Sequence, residues 1–284
     1  MKQGKWVKEL FVLITRRKTG LIGLILISIP IIMAIIPQHL APYDPYKRVA
    51  KPFEPPSLLH LLGTNDMGQD ILSELIYGAR ISLLIGVTAT VATVLIGGII
   101  GLIAGYYGGF IGEALMAITN VFLLTPILPF MVFLASILGQ SYVNIIITIT
   151  AFSWPGIARY IWAHVISIKT LPYIEVAKAL GASNYRVMFK HVLPQVIPSI
   201  IALVMLRIGY SMIAEAALCF MGLGDPVQKS WGTMIYWARR TGTITAGAWW
   251  WIIAPGLMIT LTVLGFTQIG YVLEEQYNPR LRRY

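Results

Sequence analysis

Two acidic residues sit in motifs that could cut a bond inside a membrane: Asp44 in "YD" and Asp225 in "GLGD". That chemistry needs the carboxylates face to face in the bilayer, sharing one proton between like charges. Asp44 lies in a proline-rich stretch, and Asp225 precedes Pro226 beyond the end of an apolar run. Both are expected in water, and the protease reading fails on placement. His39, His60, His164 and His191 are scattered without ligand spacing. The single Cys219 excludes an internal disulfide and a cysteine cluster, so no metal site is expected. There is no Gly-x-x-x-x-Gly-Lys-[Ser/Thr] loop, no His-Glu-x-x-His and no Gly-x-Ser-x-Gly. The chain is not read as an enzyme, and no cofactor is expected on it.

The remaining polar chemistry is of two kinds. Arg207 and Glu215 lie within one apolar run, eight residues apart. That is about 12 Å along a helix, too far for a direct bridge. A charge at mid-bilayer costs roughly 2.5–3.5 kcal/mol, so each needs its own partner or water. Structural pairing and the border of a hydrated path are both open readings. The second kind is the segment "EVAKALGASNYRVMFKHVLP" at 175–194, polar between two apolar runs. Pro172 suits the first turn of a helix running to about Leu180, with Ile174, Ala177 and Leu180 on one face. Gly181 then supplies a C-cap, Ser183 caps a second short helix, and Pro194 closes it. Such a helix could lie flat in the lipid interface. Its short stripe and small alanines fit a protein groove better.

The elements that hold these residues are membrane helices. The chain is 57% hydrophobic and 12% charged, about half the charge density of a soluble domain. Its mean hydropathy is +0.73. Six apolar runs, at about 21–36, 81–105, 114–138, 143–162, 196–219 and 248–272, can each cross a bilayer. The expected fold is an all-α integral membrane protein with six transmembrane helices. The net charge of +10 is distributed as topology rather than as a nucleic-acid footprint. Lys2, Lys5, Lys8, Arg16, Arg17 and Lys18 precede the first run, and Arg280, Arg282 and Arg283 follow the last. Lys169, Lys178, Arg186 and Lys190 lie between the fourth and fifth runs, on the same side. The positive-inside rule makes that side, with both termini, cytoplasmic, in the cell membrane. Lys229, Arg239 and Arg240 are exceptions.

The expected organisation is a basic leader at 1–20, an uncleaved first helix at 21–36 and an extracytoplasmic loop at 37–80, helical from Met67 to Tyr77. A five-helix core at 81–272, with the polar segment at 170–194, precedes a cytoplasmic tail at 273–284. Gly97, Gly101 and Gly105 share one helix face and permit close internal packing. Pro126 and Pro129 should kink the third span, making it, with Asn120, a candidate pathway helix. Trp231, Trp237 and the run 249–251 are read as an interfacial aromatic belt.

The segment at 175–194 resembles the signature of bacterial and archaeal ABC importer permeases: Glu-Ala-Ala, three residues, Gly, nine residues, Ile-x-Leu-Pro. Here Glu175-Val176-Ala177 and Gly181 are followed by His191-Val192-Leu193-Pro194, with Val176 and His191 departing. His191 is typical of the dipeptide/oligopeptide/nickel branch. "LGTNDMGQDILSELIYGARISLLIG" also resembles that branch, although Asn65, Gln69 and Glu74 stand where Asp, Arg and Arg are common. "EAALCFMGLG" and "SWG" match, with Cys219 and Met221 replacing the usual Ser and Leu, and "NPRLRR" at 278–283 completes the set.

The chain is most similar to the C-type permease of that family. The resemblance implies the type I ABC importer permease fold with a cytoplasmic coupling helix, and half of a pore for di- or oligopeptides. Oligosaccharides, nickel and glutathione are alternative cargoes, and a proton-coupled carrier is the rival class. The implied partners are a sister permease, two ATPase subunits that carry ATP and Mg, and an extracytoplasmic solute-binding protein. Glu175, Ala177, Leu180 and Gly181, with Arg186, Leu193 and Pro194, would form the ATPase-coupling segment.

Overall fold

A computed structural model describes residue 12 and residues 14–277. The basic leader up to residue 11 and "NPRLRR" at 278–283 lie outside the described residues. Among the described residues the only β-pairing is an isolated bridge between Thr64 and Asp70. The chain runs α1 (Lys18–Ile35), α2 (Pro37–Leu40), α3 (Ile71–Tyr107), α4 (Gly109–Leu124), α5 (Ile127–Leu138) and α6 (Tyr142–Lys169). It continues through α7 (Pro172–Ala179), α8 (Asn184–Val187), a π-helical turn (Met188–Val192), α9 (Leu193–Phe220), α10 (Trp231–Arg240) and α11 (Trp250–Tyr277). Among the described residues five helices are long and apolar enough to cross a membrane, and α4 with α5 makes a sixth span if the bent pair is counted as one.

The helix expected from Met67 to Tyr77 does not stand apart from the second span. Asp70 caps α3, its Oδ2 accepting from the Ser73 backbone N–H at 2.8 Å, and the helix continues without a break to Tyr107. Nothing between Tyr77 and Ile81 stops it: Arg80 is exposed, and Gly78 lies against Trp231, where a bare backbone is needed. Its 37 residues reach about 55 Å, well past the roughly 30 Å hydrocarbon core. The third span, expected to be kinked, is broken. α4 and α5 meet at 90°, with Thr125 ending one and Pro126 capping the other. Pro129 sits in the first turn of α5, where its missing N–H has no intrahelical partner to lose, so the break belongs to Pro126.

The core is the crossing of α3 and α6. A Cβ at Gly97 would stand 2.6 Å from the Trp154 carbonyl oxygen, at Gly101 2.4 Å from that of Ala158, and at Gly105 2.8 Å from Val165. All three glycines therefore serve one helix pair, whose backbones touch where side chains are missing. α9 joins α3 by a hydrogen bond between Ser211 and Thr90 hydroxyls at 2.9 Å. α1 lies against α11 where Gly23 meets the Gly265 carbonyl.

The aromatic belt is only partly one. Trp231 and Trp251 are 0% and 1% exposed and belong to the protein core, whereas Trp249 is exposed. The Trp231 indole N–H donates to the Leu75 carbonyl at 2.9 Å, so this ring is a buried anchor between α10 and α3.

Candidate functional site

The 170–194 segment folds as two short helices around a left-handed turn. Gly181 has φ +82°; its N–H bonds the Lys178 carbonyl at 2.9 Å, and the Ala182 N–H bonds that of Ala177 at 3.1 Å. This is the Schellman arrangement, and only glycine adopts its φ without strain. Ser183 caps α8 through the Arg186 N–H at 3.3 Å. Ile174 is fully buried, packed with Val187, Met188 and Val192 against Leu102, Tyr106, Val165 and Ile168 of α3 and α6. The Tyr106 hydroxyl donates to Asn184 Oδ1 at 3.0 Å, tying α8 to the end of α3. Lys169 and Lys178 lie 5.8 and 5.5 Å from the Tyr106 ring.

The outer side of the segment is unoccupied by the chain. Glu175, Val176, Gly181 and Arg186 are exposed, Ala177 is half-buried, and Leu180 is 82% exposed. The expected stripe of Ile174, Ala177 and Leu180 is thus split. α7 ends at Ala179, Ile174 turns inward, and Leu180 points away from the chain. A cavity of about 510 Å³ opens beside it, with Glu175, Lys178, Lys169 and Trp162 in its lining. Pro194 does not close the second helix. It sits in the first turn of α9, directly after the π-helical turn. A π turn widens the backbone spiral, which accommodates a ring that would otherwise press on the carbonyl four residues back. Leu193 is half-buried and Pro194 exposed.

The intramembrane residues fall into two groups. Glu215 is 1% exposed, and its Oε1 accepts from Ser230 Oγ at 2.6 Å and from the Cys219 thiol at 3.2 Å. Ser230 in turn caps α10 in a reciprocal box with Thr233. Glu215 therefore organises the turn between α9 and α10. Arg207 is elsewhere. Its guanidinium lies over the Tyr210 ring at 5.7 Å and against Gly156 of α6, where a Cβ would come within 2.9 Å of Nη2. Asn120, Pro126 and Pro129 are exposed on α4 and at its break, and Asn120 Oδ1 accepts from Arg159 Nη1 at 3.5 Å.

Two features escaped the sequence reading. Arg159 is a charge inside the apolar run 143–162, and an arginine in a membrane span was itself the signal. The second is a polar cluster on the loop before α3. Lys229, an exception to the charge rule, forms an ion pair with buried Glu74 and donates to Gln69 Oε1 at 2.7 Å. Asn65 Nδ2 donates to Gln69 Oε1 at 2.9 Å and to Glu74 Oε1 at 3.1 Å. Three of the positions that depart from the family pattern are thus linked, Gln69 and Glu74 through Asn65 and Lys229. Arg239 donates to the Phe220 carbonyl at 3.2 Å and Arg240 to the Tyr236 hydroxyl at 2.7 Å.

Comparison with known proteins places this arrangement. Residues 97–283 match the family described as the binding-protein-dependent transport system inner membrane component. A glutathione transport system permease protein of Pectobacterium atrosepticum is 36% identical, over 93% of this chain and 86% of that one. Two Bacillus subtilis proteins, dipeptide and oligopeptide transport system permeases, are each 34% identical over 94% of this chain, covering 84% and 87% of their own lengths. The apolar spans make the chain a multi-pass membrane protein. With its signature segment and this match, it belongs to the family of binding-protein-dependent transport system inner membrane components.

Proposed function

We propose that the chain is one of two permease subunits forming the pore of an ATP-driven importer for di- or oligopeptides. The observation that carries the reading is the two-sided 170–194 segment. Its inner side is locked to α3 and α6 by Ile174, Val187 and the Tyr106–Asn184 hydrogen bond. Its outer side presents Glu175, Leu180 and Gly181 to a partner. A body seated on that side can displace the spans, which is what an ATPase subunit must do. Two such ATPases hold ATP and Mg, a sister permease supplies the other half of the pore, and an extracytoplasmic binding protein delivers cargo to residues 37–80 and 220–247. Both termini face the cytoplasm with the 170–194 segment.

Peptides lead as cargo because relatives named for dipeptide, oligopeptide and glutathione transport support that class, glutathione being itself a peptide. Arg207, Asn120 and the broken α4–α5 span border the pathway. Glu215 is assigned to the architecture of the α9–α10 turn rather than to the path.

The test is ATP-dependent uptake of a labelled tripeptide by the complete complex in proteoliposomes. The wild-type chain should give uptake that requires both ATP and the binding protein. Gly181→Arg should remain in the membrane and lose uptake. Normal transport by that variant would remove the coupling role from this segment.

A further inference from the structure

Two arginines lie within the apolar helices α6 and α9, and among the described residues no acid answers them. Arg207 lies at the middle of α9, about 20 Å from either end of that helix. Its Nη2 reaches Gly156, and Arg159 follows Gly156 by one turn on the same face of α6. Among the described residues neither guanidinium has a carboxylate partner. Arg207 has only the Tyr210 ring, and Arg159 only the Asn120 amide oxygen, at 3.5 Å. Arg159 is exposed and Arg207 half-buried. Facing lipid, each would cost roughly 2.5–3.5 kcal/mol, so this strip faces a hydrated or occupied space. Asn120 of α4 brings a third polar side chain to Arg159, five residues before that helix breaks at Thr125.

We infer that Arg159 and Arg207 form an anion subsite that receives the C-terminal carboxylate of the transported peptide. This rests on the reading that the chain lines a peptide importer's pore. Peptides of differing sequence share only their backbone and their two termini, and a doubly cationic strip selects the carboxylate end. A guanidinium fork pairs with a carboxylate through two parallel hydrogen bonds, which fixes orientation as well as charge. The Tyr210 ring and Asn120 hold the two heads in place without neutralising them.

The test uses the assembled complex in proteoliposomes, with saturating loaded binding protein and ATP. Uptake of trialanine is compared with that of trialanine amide, which differs in lacking the terminal charge. The acid-to-amide ratio is the readout, because the binding protein's own preference is the same for every permease variant. Arg207→Gln and Arg159→Gln should each lower the ratio about tenfold, the scale of one charge-assisted hydrogen bond. Arg207→Lys should retain most of it. Gly156→Ala should also lower it, because the new methyl displaces the flexible end of Arg207 while leaving its charge. Ratios unchanged in all the variants overturn the subsite. So does failure of both glutamine variants to assemble while Gly156→Ala assembles with a normal ratio, which assigns the guanidiniums to an acid on the sister permease. Uptake of neither peptide by the wild-type complex overturns the peptide reading itself, and the subsite with it.

Discussion

Glu215 Oε1 and Ser230 Oγ are 2.6 Å apart, joining the membrane helix α9 to the N-cap of α10 across the connection at 221–230. The same serine accepts from the Thr233 N–H at 3.1 Å, so one buried carboxyl indirectly fixes the start of the next helix. Glu215→Gln keeps an oxygen acceptor for the serine and should cost about 1 kcal/mol or less. Glu215→Ala leaves the Ser230 hydroxyl without its acceptor and opens a cavity, and should cost roughly 2–4 kcal/mol. Thermal unfolding of the detergent-extracted complex checks the order.

The Glu74–Lys229 pair is a linked unit with Asn65 and Gln69. Lys229→Met alone strands a buried carboxylate and should destabilise the loop by roughly 2–3 kcal/mol, less than a fully buried pair because Lys229 is partly exposed. Glu74→Gln with Lys229→Met should recover most of that loss. A double-mutant cycle on unfolding midpoints measures the coupling.

Two glycines one turn apart in α3 should respond differently. Gly101→Ala places a methyl 2.4 Å from a backbone oxygen of α6, which cannot move aside, and should cost about 1–3 kcal/mol by forcing the helices apart. Gly98→Ala meets only the Ile161 Cδ1 at 3.6 Å and gains helix propensity, so it should be neutral or stabilising by up to about 1 kcal/mol. Yield and melting temperature of the two proteins separate the cases.

At Gly181 the surroundings are open and the backbone is the constraint. Gly181→Ala should therefore cost about 1 kcal/mol from the left-handed φ alone, with assembly retained. Gly181→Arg adds bulk on the exposed side and should lose uptake altogether. Comparing ATPase stimulation by the loaded binding protein in the two variants distinguishes strain from blocked docking.

Burial raises the Asp66 carboxyl above the usual aspartate range, against the attraction of Lys229. The folded chain therefore holds that proton more tightly than the unfolded one. Its stabilising contribution is full below the ordinary value of 3.8 and is lost as pH rises through the raised value. Asp66→Asn should melt higher than wild type at neutral pH, with the gap closing in acid. Melting curves across that range provide the measurement.

The spans were legible because an apolar run of that length has few alternatives, and Gly181 because few residues other than glycine end a helix so abruptly. What was illegible depended on partners distant in sequence. Trp231 reads as an interfacial aromatic until Leu75 is seen to accept its indole N–H. Lys229 reads as a topological exception until Glu74, 155 residues away, closes on it. Pro194 reads as a stop because a proline normally ends a helix, and a local widening of the turn cannot be inferred from composition. Arg159 was visible as a letter, but its meaning came from Gly156 on its face of α6 and from Arg207 of α9 packed against that glycine.

Every other long span carries an internal proline: Pro30 in α1, Pro155 in α6, Pro198 in α9 and Pro255 in α11, with the remaining span broken at Pro126. α3 alone has none. One end of it holds Glu74 in the Lys229 cluster, and the other holds Tyr106 on Asn184. It is a push rod among jointed struts: an unbroken helix anchored at both ends should carry a shift from one end to the other more directly than neighbours interrupted by proline.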